Sequence, residues 1–286
     1  MTLRDRARRL VEGFPTVAQS YRTLRSIWTL RLRRPVRTPH GFDLVGRPDM
    51  VSGAFEQGET RLIGGLLQAA DVFVDVGANI GLYTCLAASR SVWTVAIEPL
   101  PENLAYLTAN VALNRLENVE VFPLAVAARP GILPLFGGDT GASLLEGWAG
   151  SGPGFRTSVA VSTLDVLLGG RFDGKRVVVK IDVEGAEAGT LGGAARLLRM
   201  SPAPTWVVEV CLTEHHPGGQ NPRFAEVFDL FREAGYRAFT ADSARREVTA
   251  GDVARWVVAG RRDFGGHNFL FAQAAPGVAP AALVGE

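Results

Sequence analysis

Four groups of residues have types and spacings suited to chemistry on a bound small molecule. The first is the stretch VFVDVGANIGLY at 72–83, an apolar run that delivers Asp75, then the turn Gly77-Ala78-Asn79-Ile80-Gly81, then a helical pattern. Glycines permit a tight turn and let ligand atoms approach main-chain N–H groups, and the start of a helix favours a negative group. The second is Glu98-Pro99, seventeen residues after Gly81 at the end of the next apolar run. A carboxylate beside the first turn can accept both hydroxyls of a ribose. The third is VVVKIDVEGAE at 177–187, which brings Asp182 and Glu184 to the same edge. Two carboxylates there can orient a cation, take a proton from an acceptor or bind a divalent ion, and capping of the next helix accounts for Glu184 or Glu187 equally well. The fourth is the loop carrying His215 and His216, where a neutral imidazole can act as a general base. No nucleophile elbow and no phosphate-binding lysine loop is present.

The spacing of the first turn separates two kinds of nucleoside cofactor. A dinucleotide fingerprint requires G-x-G-x-x-G, whose second glycine lets the pyrophosphate approach. Here Asn79 occupies that position and the spacing is G-x-x-x-G. S-adenosylmethionine has no phosphate, so a wider polar turn suits it. A nicotinamide-dependent oxidoreductase is the alternative enzyme reading, and a non-catalytic module on the same fold is the alternative from another class.

Positioning these groups takes a particular arrangement of elements. Short apolar runs at Val72–Val76, Trp93–Ile97, Val119–Phe122, Val177–Ile181, Trp206–Val210 and Asn268–Phe271 read as strands. Helical patterns at Leu82–Ser89, Pro101–Asn114, Ala186–Arg199 and Arg223–Ala234 lie between them, and Glu59–Ala70 leads into the first. Runs apolar on both faces and joined by helices predict a doubly wound, mostly parallel α/β sheet of Rossmann-like form. Arg129–Ser162 is glycine-rich, with strands expected at Ile132–Phe136 and Thr157–Val161, and reads as an inserted hairpin or substrate loop over the sheet.

Composition bounds the rest. With 286 residues, 47% of them hydrophobic, one large α/β core is the default. A formal charge of +1 provides no global field to gather nucleic acid, so the total does not indicate that partner and none is expected. Ten arginines against Asp5 and Glu12 give residues 1–37 a local +8, and so leave −7 on the remainder. Leu10, Phe14, Val17, Tyr21, Leu24, Trp28 and Leu32 alternate with those arginines at helical spacing. This predicts a basic amphipathic helical appendage that packs on its own domain, forms a dimer contact or docks peripherally on an anionic membrane. Cys85 and Cys211 lack metal-ligand spacing and read as buried reduced thiols, which fits a cytoplasmic protein.

At these residues the chain resembles the FkbM-type methyltransferases. The matching pieces run in order: DVGANIG at 75–81, EPLPEN at 98–103, PLAVA at 123–127, STLD at 162–165, KIDVEGAE at 180–187 and NFLF at 268–271. The resemblance implies a class I methyltransferase fold and an S-adenosylmethionine-dependent O-methyltransferase. It implies a small-molecule acceptor hydroxyl on a sugar, glycolipid or polyketide-like natural product. Cofactor contacts are implied at Asp75, Gly77, Asn79, Gly81, Glu98 and Asn103, with adenine near Ala125; Ala78 and Pro99 belong to the same two turns. Asp182, Glu184, His215 and His216 are the candidate catalytic residues, and no metal is expected. The expected division is a basic appendage at 1–45, a methyltransferase domain at 46–272 and a flexible tail at 273–286.

Overall fold

The computed structural model describes residues 34–152 and 156–273. The expected amphipathic appendage at 3–32 and nearly all of the expected tail lie outside the described residues. The central sheet contains β1 (Val72–Val76), β2 (Trp93–Ile97), β3 (Val119–Phe122), β4 (Val177–Ile181), β5 (Thr205–Glu209), β6 (Arg237–Thr240), β7 (Glu247–Val248) and β8 (Asn268–Ala272). Their spatial order is β7-β6-β8-β5-β4-β1-β2-β3. From β3 to β5 every pairing is parallel, whereas β8 enters antiparallel between β5 and β6. The chain order reverses beside β1, and in open α/β sheets ligands bind outside the carboxyl ends of the strands at such a point.

Alternation along β1 shows why both faces are covered. Val72, Val74 and Val76 pack into one core while Phe73 points into the other, and none is more than 3% exposed. The first core is closed by α4 (Glu187–Gly192), α5 (Phe224–Glu233) and α6 (Ala250–Ala259) through Leu191, Phe228, Phe231 and Trp256. The second is closed by α1 (Gln57–Leu66) and α2 (Leu82–Ala88) through Leu62, Ile63, Leu82 and Leu86. Burying side chains of this size stabilises by about 1.5–3 kcal/mol each, so these faces hold the sheet. Phe42 and Leu44, upstream of residue 46, are also buried in the second core.

The inserted hairpin is present. Gly131–Phe136 and Arg156–Ser162 pair antiparallel, and Ala125–Val126 joins the latter in parallel as a third strand. Leu135, Val159 and Val161 give it a small core shared with Leu100 and Ala125.

Two expectations are corrected. The helix expected over Ala186–Arg199 stops at Gly192, and a short 3-10 turn at Leu197–Arg199 follows. A Cβ on Gly193 would lie 2.3 Å from the Ala127 carbonyl oxygen, so the chain is pressed too closely there for an ordinary residue. Asp165 then caps the new turn, accepting from the N–H groups of Arg196 at 2.8 Å and Leu197 at 3.0 Å. The second correction is an omission: β6, β7 and α6 were not predicted. Thr249-x-x-Asp252 carried the signal for α6, because both members form a reciprocal capping box.

Candidate active site

The turn after β1 is built from three left-handed residues, Gly77 (φ 84°), Asn79 (φ 51°) and Gly81 (φ 89°). Asn is among the few side chains that tolerate this region. The N–H groups of Gly77 and Ala78 both donate to the Ile97 carbonyl, at 2.9 and 3.0 Å, tying the turn to the end of β2. The Asn79 side chain accepts from the Ile80 N–H at 2.8 Å. Gly77 is required by main-chain packing: a Cβ there would lie 1.8 Å from the Asp182 carbonyl oxygen.

Glu98 leaves β2 pointing into this turn and is 4% exposed. Its Oε2 accepts from the Asn79 N–H and its Oε1 from the Leu100 N–H, each at 2.8 Å. Burial, opposed by these donors and by Asn103, lifts its carboxyl to about 7.

The turn is also tied to the segment upstream of it by Asn110 of α3 (Pro101–Leu113). Its side chain accepts from the Val45 N–H at 2.8 Å and donates to the carbonyls of Val45 at 3.0 Å and Ile80 at 2.8 Å.

Beside Glu98 opens a cleft of about 560 Å³, open in part to solvent. Of the residues expected to bind cofactor, Gly77, Asn79, Glu98, Pro99, Asn103 and Ala125 line it. Asp75, Ala78 and Gly81 do not. Asp75 is 1% exposed and accepts from the Thr84 hydroxyl at 2.6 Å. Ala78 is buried against Leu107, and Gly81 is spent on the turn into α2. The hairpin loop contributes Leu135, Thr140, Ala142 and Leu144 to the opposite wall.

Asp182 and Glu184 also line the cleft, whereas His215 and His216 do not. The fully buried Trp148 of the hairpin loop accounts for the histidines. Its ring lies 5.9 Å from that of His215 and 6.4 Å from that of His216, and its Nε1 donates to Glu184 Oε2 at 2.5 Å. The Ser143 hydroxyl donates to the Glu184 carbonyl at 2.6 Å, so the loop is fastened to this turn twice. Burial, reinforced by Asp182, raises the Glu184 carboxyl to about 8.

Lys180 carried no role in the sequence reading. It stands in a fully buried strand, 2% exposed, with its ammonium 2.8 Å from Asp182 Oδ2 and 3.4 Å from Glu59 Oε1. A lysine inside VVVKI was the available signal, because an ammonium is not buried without carboxylates to meet it. Glu59 is 121 residues away and nothing local links the two.

These buried acids give stability a definite pH dependence. Burial lifts Glu98 and Glu187 to about 7 and Glu184 to about 8, above the ordinary value of 4.5. The folded chain therefore holds protons that the unfolded chain has released. Their stabilising contribution is full below pH 4.5 and is lost as pH rises through 7 to 8. In the other direction, Arg262 holds Glu214 at about 2 against the effect of burial, and the Thr249 side chain holds Asp252 at about 2. Their contribution is present above the ordinary carboxylate range and lost in strong acid. From these groups stability is expected to peak near pH 4.5 and to fall toward alkaline pH, with a Tm lower by about 5 °C at pH 8.5. Thermal scans from pH 4 to 9 test this, and a Tm climbing steadily to pH 9 would contradict it.

Residues 75–238 match the family described as Methyltransferase FkbM domain. This is more than half of the chain, and the chain belongs to that family. Several solved structures are similar to this chain at low identity. Methyltransferase FkbM from Methylobacillus flagellatus KT is 16% identical with a TM-score of 0.43, over 71% of this chain and 44% of that one. The chain thus spans less than half the length of that protein. Precorrin-6y C5,15-methyltransferase from Geobacter metallireducens GS-15 is 13% identical with a TM-score of 0.41, over 68% and 78% of the two chains. An O-methyltransferase from Bacillus cereus in complex with SAH is 14% identical with a TM-score of 0.41, over 75% and 79%. No curated protein matches the sequence.

Proposed function

We propose that the protein transfers a methyl group from S-adenosylmethionine to a hydroxyl of a small molecule, a sugar, glycolipid or natural-product intermediate. The observation that carries this reading is the chemistry of the cleft wall. It presents the carboxyl groups of Glu98, Asp182 and Glu184 with the side-chain amides of Asn79 and Asn103, and neither lysine nor arginine is among the described residues that line it. Such a wall suits a ribose diol and a sulfonium cation, and it repels a pyrophosphate. When bound, S-adenosylmethionine would supply a methyl group already activated by its positive sulfur.

The protein's part is positioning and proton handling. Glu98 accepts from the ribose hydroxyls while keeping the Asn79 turn in place. Asp182, which also lines the cleft, accepts the proton of the acceptor hydroxyl at a carboxylate oxygen. Holding the acceptor oxygen in line with the methyl group supplies most of the acceleration. The hairpin loop forms the wall nearest the acceptor and sets its selection. The domain, which takes in the buried Phe42 and Leu44 and runs to residue 272, carries this chemistry in the cytoplasm, and the basic segment before it serves packing, dimer contact or membrane docking.

The test is calorimetric titration of the purified chain with S-adenosylhomocysteine and with NAD. Binding of the first at micromolar Kd, with none of NAD, is the expected result. It is followed by turnover with S-adenosylmethionine on a panel of hydroxyl acceptors, read as a gain of one methyl group on oxygen. Binding of NAD alone would replace this reading with the oxidoreductase one.

A further inference from the structure

Lys180 occupies a position that the methyl-transfer reading does not yet use. In the parallel register it stands opposite Asp75, in the middle of the sheet, with 2% of its surface exposed. Burial opposes its charge, but Asp182, Glu59, Glu56 and Tyr83 more than offset this and raise its pKa well above the usual lysine value. The ammonium lies 5.0 Å from the centre of the Tyr83 ring, whose hydroxyl donates to Glu56 Oε2 at 3.0 Å. Glu59 is 6% exposed, burial raises its carboxyl to about 8, and apart from the 3.4 Å contact of Oε1 with the Lys180 ammonium neither of its oxygens has a hydrogen-bond partner among the described residues. The Lys180 ammonium is thus the cation that answers this buried carboxylate. On its other side the same ammonium meets Asp182, the member of the cluster that reaches the cleft with 22% of its side chain exposed.

The main chain of Asp182 is fixed independently. Its N–H donates to the Val76 carbonyl at 3.0 Å, and its own carbonyl abuts Gly77. The remaining freedom of Asp182 is side-chain rotation, and the 2.8 Å bond from Lys180 removes it.

We propose that Lys180, anchored by Glu59 of α1, is a positioning residue that holds the Asp182 carboxylate in the cleft, toward the methyl donor and acceptor. This rests on the use of S-adenosylmethionine proposed above. It adds that the site is completed from outside the family match at 75–238, because Glu59 and Glu56 precede that stretch. An ammonium shared between a fully buried carboxylate and a cleft carboxylate fixes the second without neutralising the cleft, which a hydrogen bond from a neutral side chain would do less firmly.

The experiment is a thermodynamic cycle read by calorimetry, with S-adenosylmethionine and S-adenosylhomocysteine as probes and no acceptor needed. Lys180→Gln alone leaves Glu59 buried and unpaired and can unfold the chain. The pair Lys180→Gln/Glu59→Gln removes the ammonium together with its buried partner and keeps the number of side-chain heavy atoms. In the otherwise wild-type chain this pair is expected to weaken S-adenosylmethionine binding about tenfold, and S-adenosylhomocysteine less, because only the former has the sulfonium charge. In an Asp182→Asn chain the same pair is expected to change neither affinity by more than about twofold, since its effect passes through Asp182. A loss of equal size in both backgrounds would mean a purely structural role and overturns the proposal. So would tighter binding, or a change under twofold in the wild-type background. Failure of the wild-type chain to bind either probe overturns the parent reading, and this one with it.

Discussion

Replacing Glu98 by alanine is expected to weaken S-adenosylhomocysteine binding about 100-fold, the loss of one or two hydrogen bonds to a charged group. The carboxylate does two jobs at once. It seats the turn by accepting from the N–H groups of Asn79 and Leu100, and it faces the cleft where a ribose would lie. Alanine leaves two donors without their acceptor and removes the ligand's acceptor as well. Glu98→Gln retains a carbonyl for one donor and is expected to lose about tenfold, because a neutral acceptor is weaker than an ionised one. Binding by the wild-type chain should tighten as pH rises from 6 to 8, since burial lifts Glu98 to about 7 and the ionised form is the acceptor. Titrations at three pH values read both effects. A loss of less than threefold for the alanine variant would show that ribose recognition lies elsewhere.

The largest expected effect on stability belongs to Asn110, which is 0% exposed. Asn110→Leu keeps the number and branching of side-chain heavy atoms but strands the N–H and carbonyl of Val45 and the carbonyl of Ile80, all of which now bond to one side chain. Each buried group left unpaired costs about 1–3 kcal/mol, so a total near 4 kcal/mol is expected, among the larger single-residue effects known. Urea unfolding measures it. Because the clamp holds Ile80, within the turn, loosening of the Asn79 turn should accompany the loss and weaken S-adenosylhomocysteine binding. A loss under 1 kcal/mol would mean that water replaces the side chain.

The parts of this architecture that were legible in the sequence are those specified locally. The turn at 77–81 and the strands β1, β2 and β4 announce themselves by runs of apolar residues broken by glycine or an acid, and the structure places them within a residue of expectation. The hairpin at 131–162 was legible for the same reason. Features that arise when distant segments meet were not. The break at Gly193 depends on the Ala127 carbonyl, and the position of His215 and His216 depends on Trp148, 67 and 68 residues earlier. Lys180 shows the limit most clearly: its strand was evident, whereas its meaning depends on Glu59 from a helix whose surface pattern gives no hint of a charge facing inward. The strands β6 and β7 were missed because Arg237–Thr240 and Glu247–Val248 are too short and too polar to display alternation.

Asn110 has a consequence for what counts as one unit of this protein. By holding both main-chain groups of Val45 and the carbonyl of Ile80, it makes the segment around residues 42–45 a part of the turn that the family signature begins with. Helix α1 does the same from the other side, through Glu59 and the buried Leu62 and Ile63. The stretch that identifies the family and the stretch that melts as one body are therefore different lengths of chain. A boundary drawn where the recognisable motifs start would cut through the cooperative core, and the turn would lose its backing before any residue named in the motif was touched.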